Sequence, residues 1–177
     1  MPLQPLTTPF TPEKIAGLTA GDTIALSGHI YTARDAAHAL MASQLGDPPF
    51  DYTGQAVFYA GPCPAPPGKP IGSVGPTTAG RMDAYAPALI HAGLKVMIGK
   101  GERAPAVIEA IKACQGLYLV AVGGVAALMA KCITASQEIA YPHLGTESIK
   151  RLTIQDLPLV VAIDASGNSI YSESVLF

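Results

Sequence analysis

The stretch Ile71-Gly-Ser-Val-Gly-Pro-Thr-Thr-Ala-Gly-Arg-Met-Asp83 gathers groups that can do chemistry. Two hydroxyls, Thr77 and Thr78, follow a Gly75-Pro76 turn, and the guanidinium of Arg81 comes one helical turn after Thr77. A strand that ends in such a turn and opens a helix points backbone N–H groups at one spot, and that spot attracts anions. In a helix already under way at Thr77, Arg81 faces the same spot. The spacing therefore predicts a site that reads a carboxylate or phosphate and sets a hydroxyl beside it. A threonine hydroxyl is a poor base unless cations lower its proton affinity, which Arg81 and a bound carboxylate make conceivable. The plainer reading of Thr77 and Thr78 is as helix caps.

Other candidates lie on either side. Arg34, in Ser27-Gly-His-Ile-Tyr-Thr-Ala-Arg-Asp-Ala-Ala-His38, falls just inside a predicted helix start after a strand. It reads equally as a second anion-binding arginine and as an exposed residue paired with Asp35 or a glutamate. His38 shares its helix face four residues on and reads first as a core or supporting histidine. His29, His91 and His143 lack a partner motif. Lys100 stands between Gly99 and Gly101 at a predicted strand end, where glycines let a ligand approach the backbone. No Gly-x-x-x-x-Gly-Lys-Ser/Thr occurs, so the lysine is not that of a P-loop. Three cysteines, Cys63, Cys114 and Cys132, are odd in number, widely spaced and free of any C-x-x-C. They argue against a disulfide framework and for a reducing cytoplasm. Three thiolates can hold an iron–sulfur cluster, but Cys114 and Cys132 fall on predicted helices among apolar neighbours, as buried thiols do.

The elements that must position these groups alternate. Thr11-Pro-Glu-Lys14 reads as a helix start capped by Thr11. Asp22 to Ser27 reads as a strand, Gly28 as a turn or bulge, Ile30 to Thr32 as β-favouring and Ala33 to Leu45 as a helix stopped by Gly46. Gln55 to Ala60 is a predicted strand, Gly61 to Pro70 a rigid proline-rich loop, and Ile71 to Val74 a further strand. The helix opened at Pro76 is predicted to run to about Ala92, with Pro87 as a possible kink. Strands at Lys95 to Ile98, Leu117 to Val122 and Leu159 to Asp164 are expected, with helices at Ala104 to Gln115 and Val125 to Ile133. Gly123-Gly124 reads as a turn, and Gly167-Asn168 as a hairpin turn into Ser169 to Tyr171. The pattern predicts one mixed α/β domain over residues 1–177, with a parallel central sheet, flanking helices and antiparallel additions.

Composition narrows the class. Only 14% of the 177 residues are charged against 49% hydrophobic, where a typical soluble domain carries about 25% charge. With a mean hydropathy of +0.33, the deficit predicts that another chain covers part of the surface. The net charge of −2 implies neither nucleic acid nor an anionic membrane as partner. The charge-free run from Ala113 to Ala130 is interrupted by Gly116, Gly123 and Gly124, and reads as a buried strand, a turn and a buried helix rather than a membrane span. Met1 to Thr11 lacks the basic start and apolar core of a signal peptide.

Taken together, SGHIYTARDAAH, YAGPCPAPPGKPIGSVGPTTAGRMD, MIGKG and VAIDASGN resemble the iron–sulfur-dependent class I fumarate hydratase family, which includes L(+)-tartrate dehydratase. The resemblance is to the β subunit, equivalent to the C-terminal domain of the single-chain enzymes, and covers roughly Gly21 to Asn168. It implies a swivelling β/β/α domain and a hydro-lyase acting on a small dicarboxylate, fumarate in first place. It also implies a partner α subunit that carries a [4Fe–4S] cluster on its own three cysteines, in an α2β2 hetero-oligomer, so that this chain holds no metal. By resemblance, Arg34, Arg81 and Lys100 bind the substrate carboxylates and Thr77 is the proposed general base. L(+)-tartrate or mesaconate as substrate, or a non-catalytic dicarboxylate-binding module, are the alternatives. A nucleotide-binding α/β protein is disfavoured, because no Gly-x-Gly-x-x-Gly follows a strand.

Overall fold

The computed structural model describes residues 3–121 and 126–172. Along them run β1 (Gln4–Thr7), α1 (Pro12–Ala16), β2 (Thr23–Thr32), α2 (Asp35–Ser43) and β3 (Ala56–Phe58). A 3₁₀ turn (Ala79–Met82) precedes α3 (Ala86–His91), β4 (Val96–Gly99), α4 (Pro105–Cys114), β5 (Leu117–Val120) and α5 (Ala126–Lys131). Then come β6 (Ile133–Ala140), a second 3₁₀ segment (Pro142–Glu147) and the fifteen-residue β7 (Ile149–Ile163).

Strands β1 to β5 lie side by side and parallel, as strands joined by crossovers do. The long β7 runs antiparallel to both ends of the central group. Lys150 to Val160 pair with β2, and Val160 to Ile163 pair with β5. Pairing therefore runs from β2 through β3, β4 and β5 to β7 and back to β2, a closed ring, with β6 added along the first part of β7. This is the mixed α/β architecture with a parallel centre that the sequence predicts.

Alternation along the strands divides the core. One side chain set, including Ile24, Leu26, Phe58, Ile98, Leu119, Leu152 and Leu159, packs with Ile15 of α1 and Met129 of α5. The opposite set, Val57, Met97, Tyr118 and Ala162, packs under Ala37 and Met41 of α2, Leu89 and Ile90 of α3, and Val107 and Ile111 of α4.

Several boundaries differ from expectation, each for a local reason. The two predicted β stretches around Gly28 are one strand, because Gly28 at φ +118° bends the chain at a bulge instead of ending it. A Cβ there would lie 2.2 Å from Thr8 Oγ1, the atom that accepts from His29 N–H at 2.7 Å, so only glycine fits. Ile71 to Val74 is not a strand of the sheet. Its backbone pairs instead with the proline-rich loop, Cys63 N–H to Ser73 O at 2.9 Å and Gly72 N–H to Cys63 O at 3.2 Å. The predicted helix from Pro76 to Ala92 is broken into the 3₁₀ turn and α3, with Pro87 in the first turn of α3, where its missing N–H costs nothing. Thr11 makes no side-chain cap bond. Helix α5 is half-covered rather than buried, with Leu128 51% exposed and Met129 1%. The predicted Gly123-Gly124 turn lies outside the described residues. Gly167 makes the expected tight turn at φ +83°, closed by Gly167 N–H to Asp164 O at 2.9 Å, but the return is a single bridge, Ile163 to Ser169. No described helix is long and apolar enough to cross a membrane.

Candidate functional site

Arg34 and Lys100 follow the ends of β2 and β4, and the segment carrying Thr77 and Arg81 is tied to the residues just beyond β3 and β4, at the edge where α/β sheets expose ligand sites. Arg34 follows β2, whose end is tied to β3 by Ala33 N–H to Phe58 O at 3.0 Å. Lys100 follows β4 directly. Thr77 is held between β3 and β4: its N–H donates to Tyr59 O at 2.6 Å, and its carbonyl accepts from Lys100 N–H at 3.3 Å. Thr78 forms a parallel bridge with Lys100, continued by Ala79 N–H to Lys100 O at 2.8 Å. Gly99 permits this close approach, since a Cβ there would lie 2.9 Å from Tyr59 Cδ2 and 3.1 Å from Ala79 Cβ.

This backbone corrects the expected anion cradle. Thr77 and Thr78 are extended, not helical, and Thr78 makes no side-chain cap bond at the 3₁₀ turn. The N–H groups of Thr77, Ala79 and Arg81 are spent on Tyr59, Lys100 and Thr78 carbonyls. These three donors are not free for an anion. Arg81 does not stand one α-helical turn from Thr77; it projects from the 3₁₀ turn toward α2.

There it meets Asp35, the first residue of α2. Arg81 Nε donates to Asp35 Oδ1 at 2.9 Å, and Nη2 donates to Oδ2. The same Oδ2 lies 3.5 Å from Arg34 Nε. Arg34 stands before α2 in extended conformation rather than inside it. Its Nε is 2.7 Å from Glu147 Oε1, and Glu147 Oε2 accepts from Ala36 N–H at 3.4 Å. Burial opposes the charge on Asp35, but the bonds from Arg81, its own backbone and Arg34 outweigh it and hold its carboxyl below the ordinary range. Arg34 also packs on Gly61, where a Cβ would lie 3.0 Å from its Cδ. Lys100 is exposed at the end of β4.

Beneath the site lies a buried cation that sequence reasoning missed. The Arg103 side chain is fully covered, its Nε 2.7 Å from Asp83 Oδ1. It donates to Tyr59 Oη at 3.2 Å and lies over the Tyr118 ring at 4.8 Å. The other oxygen of Asp83 accepts from Ala104 N–H at 2.6 Å, at the head of α4. Burial pushes the Tyr59 and Tyr118 hydroxyls up, while Arg103 opposes. Asp83 thus links the end of the 3₁₀ turn to α4, and the Gly-Arg-Met-Asp83 ending was the available signal for it. Glu147 carried none, because its partner stands more than a hundred positions away.

His38 is fully buried and serves as the expected supporting residue. Its Nδ1 lies 3.0 Å from Arg34 O, its ring meets Tyr59 edge-on at 5.0 Å, and Nε2 finds no hydrogen-bond partner among the described residues. Burial pushes its pKa down to about 4, so it is neutral near pH 7. His29 bonds Thr153 and His91 bonds Cys114; neither joins the site. Cys63 is exposed on the loop, while Cys114 and Cys132 are half-buried on other elements. Among the described residues, no group of His, Cys, Asp and Glu is arranged to hold a metal, so the donor set does not fit a cluster within them.

Comparison with known proteins gives the same direction. Residues 4–174 match the family model described as Fumarase C-terminus. The chain is 36% identical to Fumarate hydratase 2 of Leishmania major over 92% of its own length and 30% of that protein. It is 38% identical to the anaerobic class I fumarate hydratase of Escherichia coli (strain K12) over 86% of its length and 29% of that protein. Against these enzymes it spans only about three-tenths of their length. It is also 33% identical to L(+)-tartrate dehydratase subunit beta of Escherichia coli (strain K12), over 96% of its own length and 87% of that protein.

Proposed function

Because the chain belongs to the fumarase C-terminus family, we propose that it is the β subunit of a two-subunit hydro-lyase that interconverts fumarate and L-malate. In this reading residues 1–177 are one fumarase β-subunit-type domain of the swivelling β/β/α class. The partner is an α subunit in an α2β2 assembly, in the cytoplasm. The observation that carries the reading is the strand edge that joins Thr77 to Lys100 by a backbone hydrogen bond and couples Arg34 to Arg81 through Asp35. The match over 87% of a protein named as a subunit beta supports a partner subunit.

The chemistry fits the residue types. In dehydration, a proton leaves the carbon beside one carboxylate, and negative charge spreads into that carboxylate. Arg34, Arg81 and Lys100 bind the substrate's carboxylates, and those facing the developing charge stabilise the transition state more than the ground state. Arginine grips two oxygens in plane, and lysine acts as a point charge. Thr77 receives the proton, its alkoxide character favoured by the surrounding cations. The [4Fe–4S] cluster, held by the partner, supplies Lewis-acid activation of the hydroxyl. The described residues of this chain contribute binding, orientation and the proton acceptor.

A second reading, L(+)-tartrate dehydration, is favoured by the near-full-length match to that enzyme's β subunit; mesaconate is the third substrate to try. The test is co-expression with a cluster-bearing α subunit, followed by assay against fumarate, tartrate and mesaconate. We expect turnover of fumarate by the pair, none by the chain alone, and loss of most kcat/KM in Arg81→Ala with assembly intact. Dicarboxylate binding without turnover would instead mark a non-catalytic module, and wild-type kinetics in Arg81→Ala would remove that residue from the site.

A further inference from the structure

We infer that Asp35 is a positioning residue that sets the gap between the two carboxylate-reading arginines; this rests on the hydro-lyase reading above. The two guanidiniums come from different elements, Arg34 from the end of β2 and Arg81 from the 3₁₀ turn. Each spends its Nε on a carboxylate of the chain itself, Arg34 on Glu147 at 2.7 Å and Arg81 on Asp35 at 2.9 Å. Asp35 also takes Nη2 of Arg81, so it occupies the Nε–Nη2 edge of that fork in the bidentate manner. A second carboxylate then meets Arg81 at its Nη1 end. Orientation of the fork decides which end a substrate sees, and Asp35 is the group that orients it.

The same carboxylate bears on both arginines, since Oδ2 lies 3.5 Å from Arg34 Nε. Two like charges this close repel, and an anion between them offsets the repulsion and fixes their spacing. Asp35 is itself well anchored as the first residue of α2, where the helix dipole favours an anion. Its value does not lie in stability. Arg81 is about half-exposed and Asp35 over a third exposed, and solvated pairs of this kind contribute little to folding. A costly bidentate contact with little stabilising worth is what a site residue held for geometry looks like. A dicarboxylate must reach cations at a set separation, so a fixed gap between Arg34 and Arg81 selects its length.

The experiment compares Asp35→Asn, Asp35→Glu and Arg81→Lys, with the double variant Asp35→Asn/Arg81→Lys, in the reconstituted two-subunit enzyme. Asp35→Asn should raise KM for the dicarboxylate roughly tenfold or more, because misplaced binding groups lose most of their effect within about 1 Å. Its kcat should fall less than KM rises, and assembly and thermal midpoint should stay unchanged. Asp35→Glu should restore part of the affinity. Adding Asp35→Asn to Arg81→Lys should cost much less than Asp35→Asn does alone, because the Arg81 half of the orienting contact is already gone. Wild-type KM in Asp35→Asn, or full additivity with Arg81→Lys, overturns the inference. If the wild-type pair turns over none of the three dicarboxylates, the functional reading fails. The Arg81 Nε–H nitrogen-15 signal of the chain still decides the role of Asp35. It should be slowly exchanging in wild type and lost to fast exchange in Asp35→Asn, and an unchanged signal refutes the contact.

Discussion

Replacing Asp83 by asparagine removes one charge from a pair that water scarcely reaches. The Arg103 side chain is 0% exposed and that of Asp83 12%, with Nε and Oδ1 2.7 Å apart. Asparagine keeps an oxygen for the Ala104 N–H, which Asp83 now bonds at 2.6 Å, so the helix contact survives and the lost charge is isolated. Arg103 is then left with Tyr59 Oη and two aromatic faces, none of which neutralises it. Breaking a buried pair from one side costs about 3–5 kcal/mol. With a urea m-value of about 2 kcal/mol/M, typical of a small domain, the unfolding midpoint should drop by roughly 1.5–2.5 M. The double variant Asp83→Asn/Arg103→Met should recover most of that, since exchanging both partners for well-packed neutral groups is often near neutral. Equilibrium urea unfolding followed by circular dichroism measures all three. A midpoint shift below about 0.5 M for Asp83→Asn, or a double variant no better than the single, would refute the view that Arg103 depends on this carboxylate.

His38 links stability to pH. It titrates at about 4 when folded against an ordinary 6.5, so above pH 6.5 neither state holds the proton and between 6.5 and 4 only the unfolded chain does. Stability should therefore fall as pH drops through that window, by up to about 1.4 kcal/mol per pH unit. His38→Gln should flatten the slope in a series of urea midpoints. Gly61→Ala places a Cβ 3.0 Å from Arg34 Cδ and 3.4 Å from Thr146 O. The arginine can yield where the backbone cannot, so KM should rise roughly tenfold while the thermal midpoint hardly moves. Lys100→Met should lower kcat/KM by about 10²–10³, the range for loss of one transition-state donor, with assembly unchanged; steady-state kinetics of the reconstituted pair decides both.

The placement of two candidate residues was legible because Arg34 and Lys100 follow recognisable strand ends, β2 and β4. Thr77 and Arg81 follow a stretch, Ile71 to Val74, that reads as a strand and is none. What could not be read was the use of their backbones and counter-charges. Thr77 looks like a helix start, yet tertiary bonds to Tyr59 and Lys100 pull it into extended form. Glu147 meets Arg34 only because β6 and β7 bring the second 3₁₀ segment back over α2. Strand β6 was missed and β7 was read only at its end, from Leu159: Lys150, Arg151, Gln155 and Asp156 dilute the apolar alternation of its first part, and Pro158 argues against a paired strand. Strand β1 hides in a proline-flanked, exposed edge for similar reasons. Cys63, Cys114 and Cys132 form no disulfide, each on a different segment of the chain.

Since β7 clasps β2 along one stretch and β5 along another, it acts as a buckle fastened last. During synthesis, the first 148 residues emerge with both of those strands lacking a neighbour. Such unpaired rims invite association with other chains, and long-range pairing of this kind is slow to form. A nascent chain, or one trimmed before β7, would thus present its stickiest seams before the ring can shut, which makes these fifteen residues a folding requirement and not an appendage.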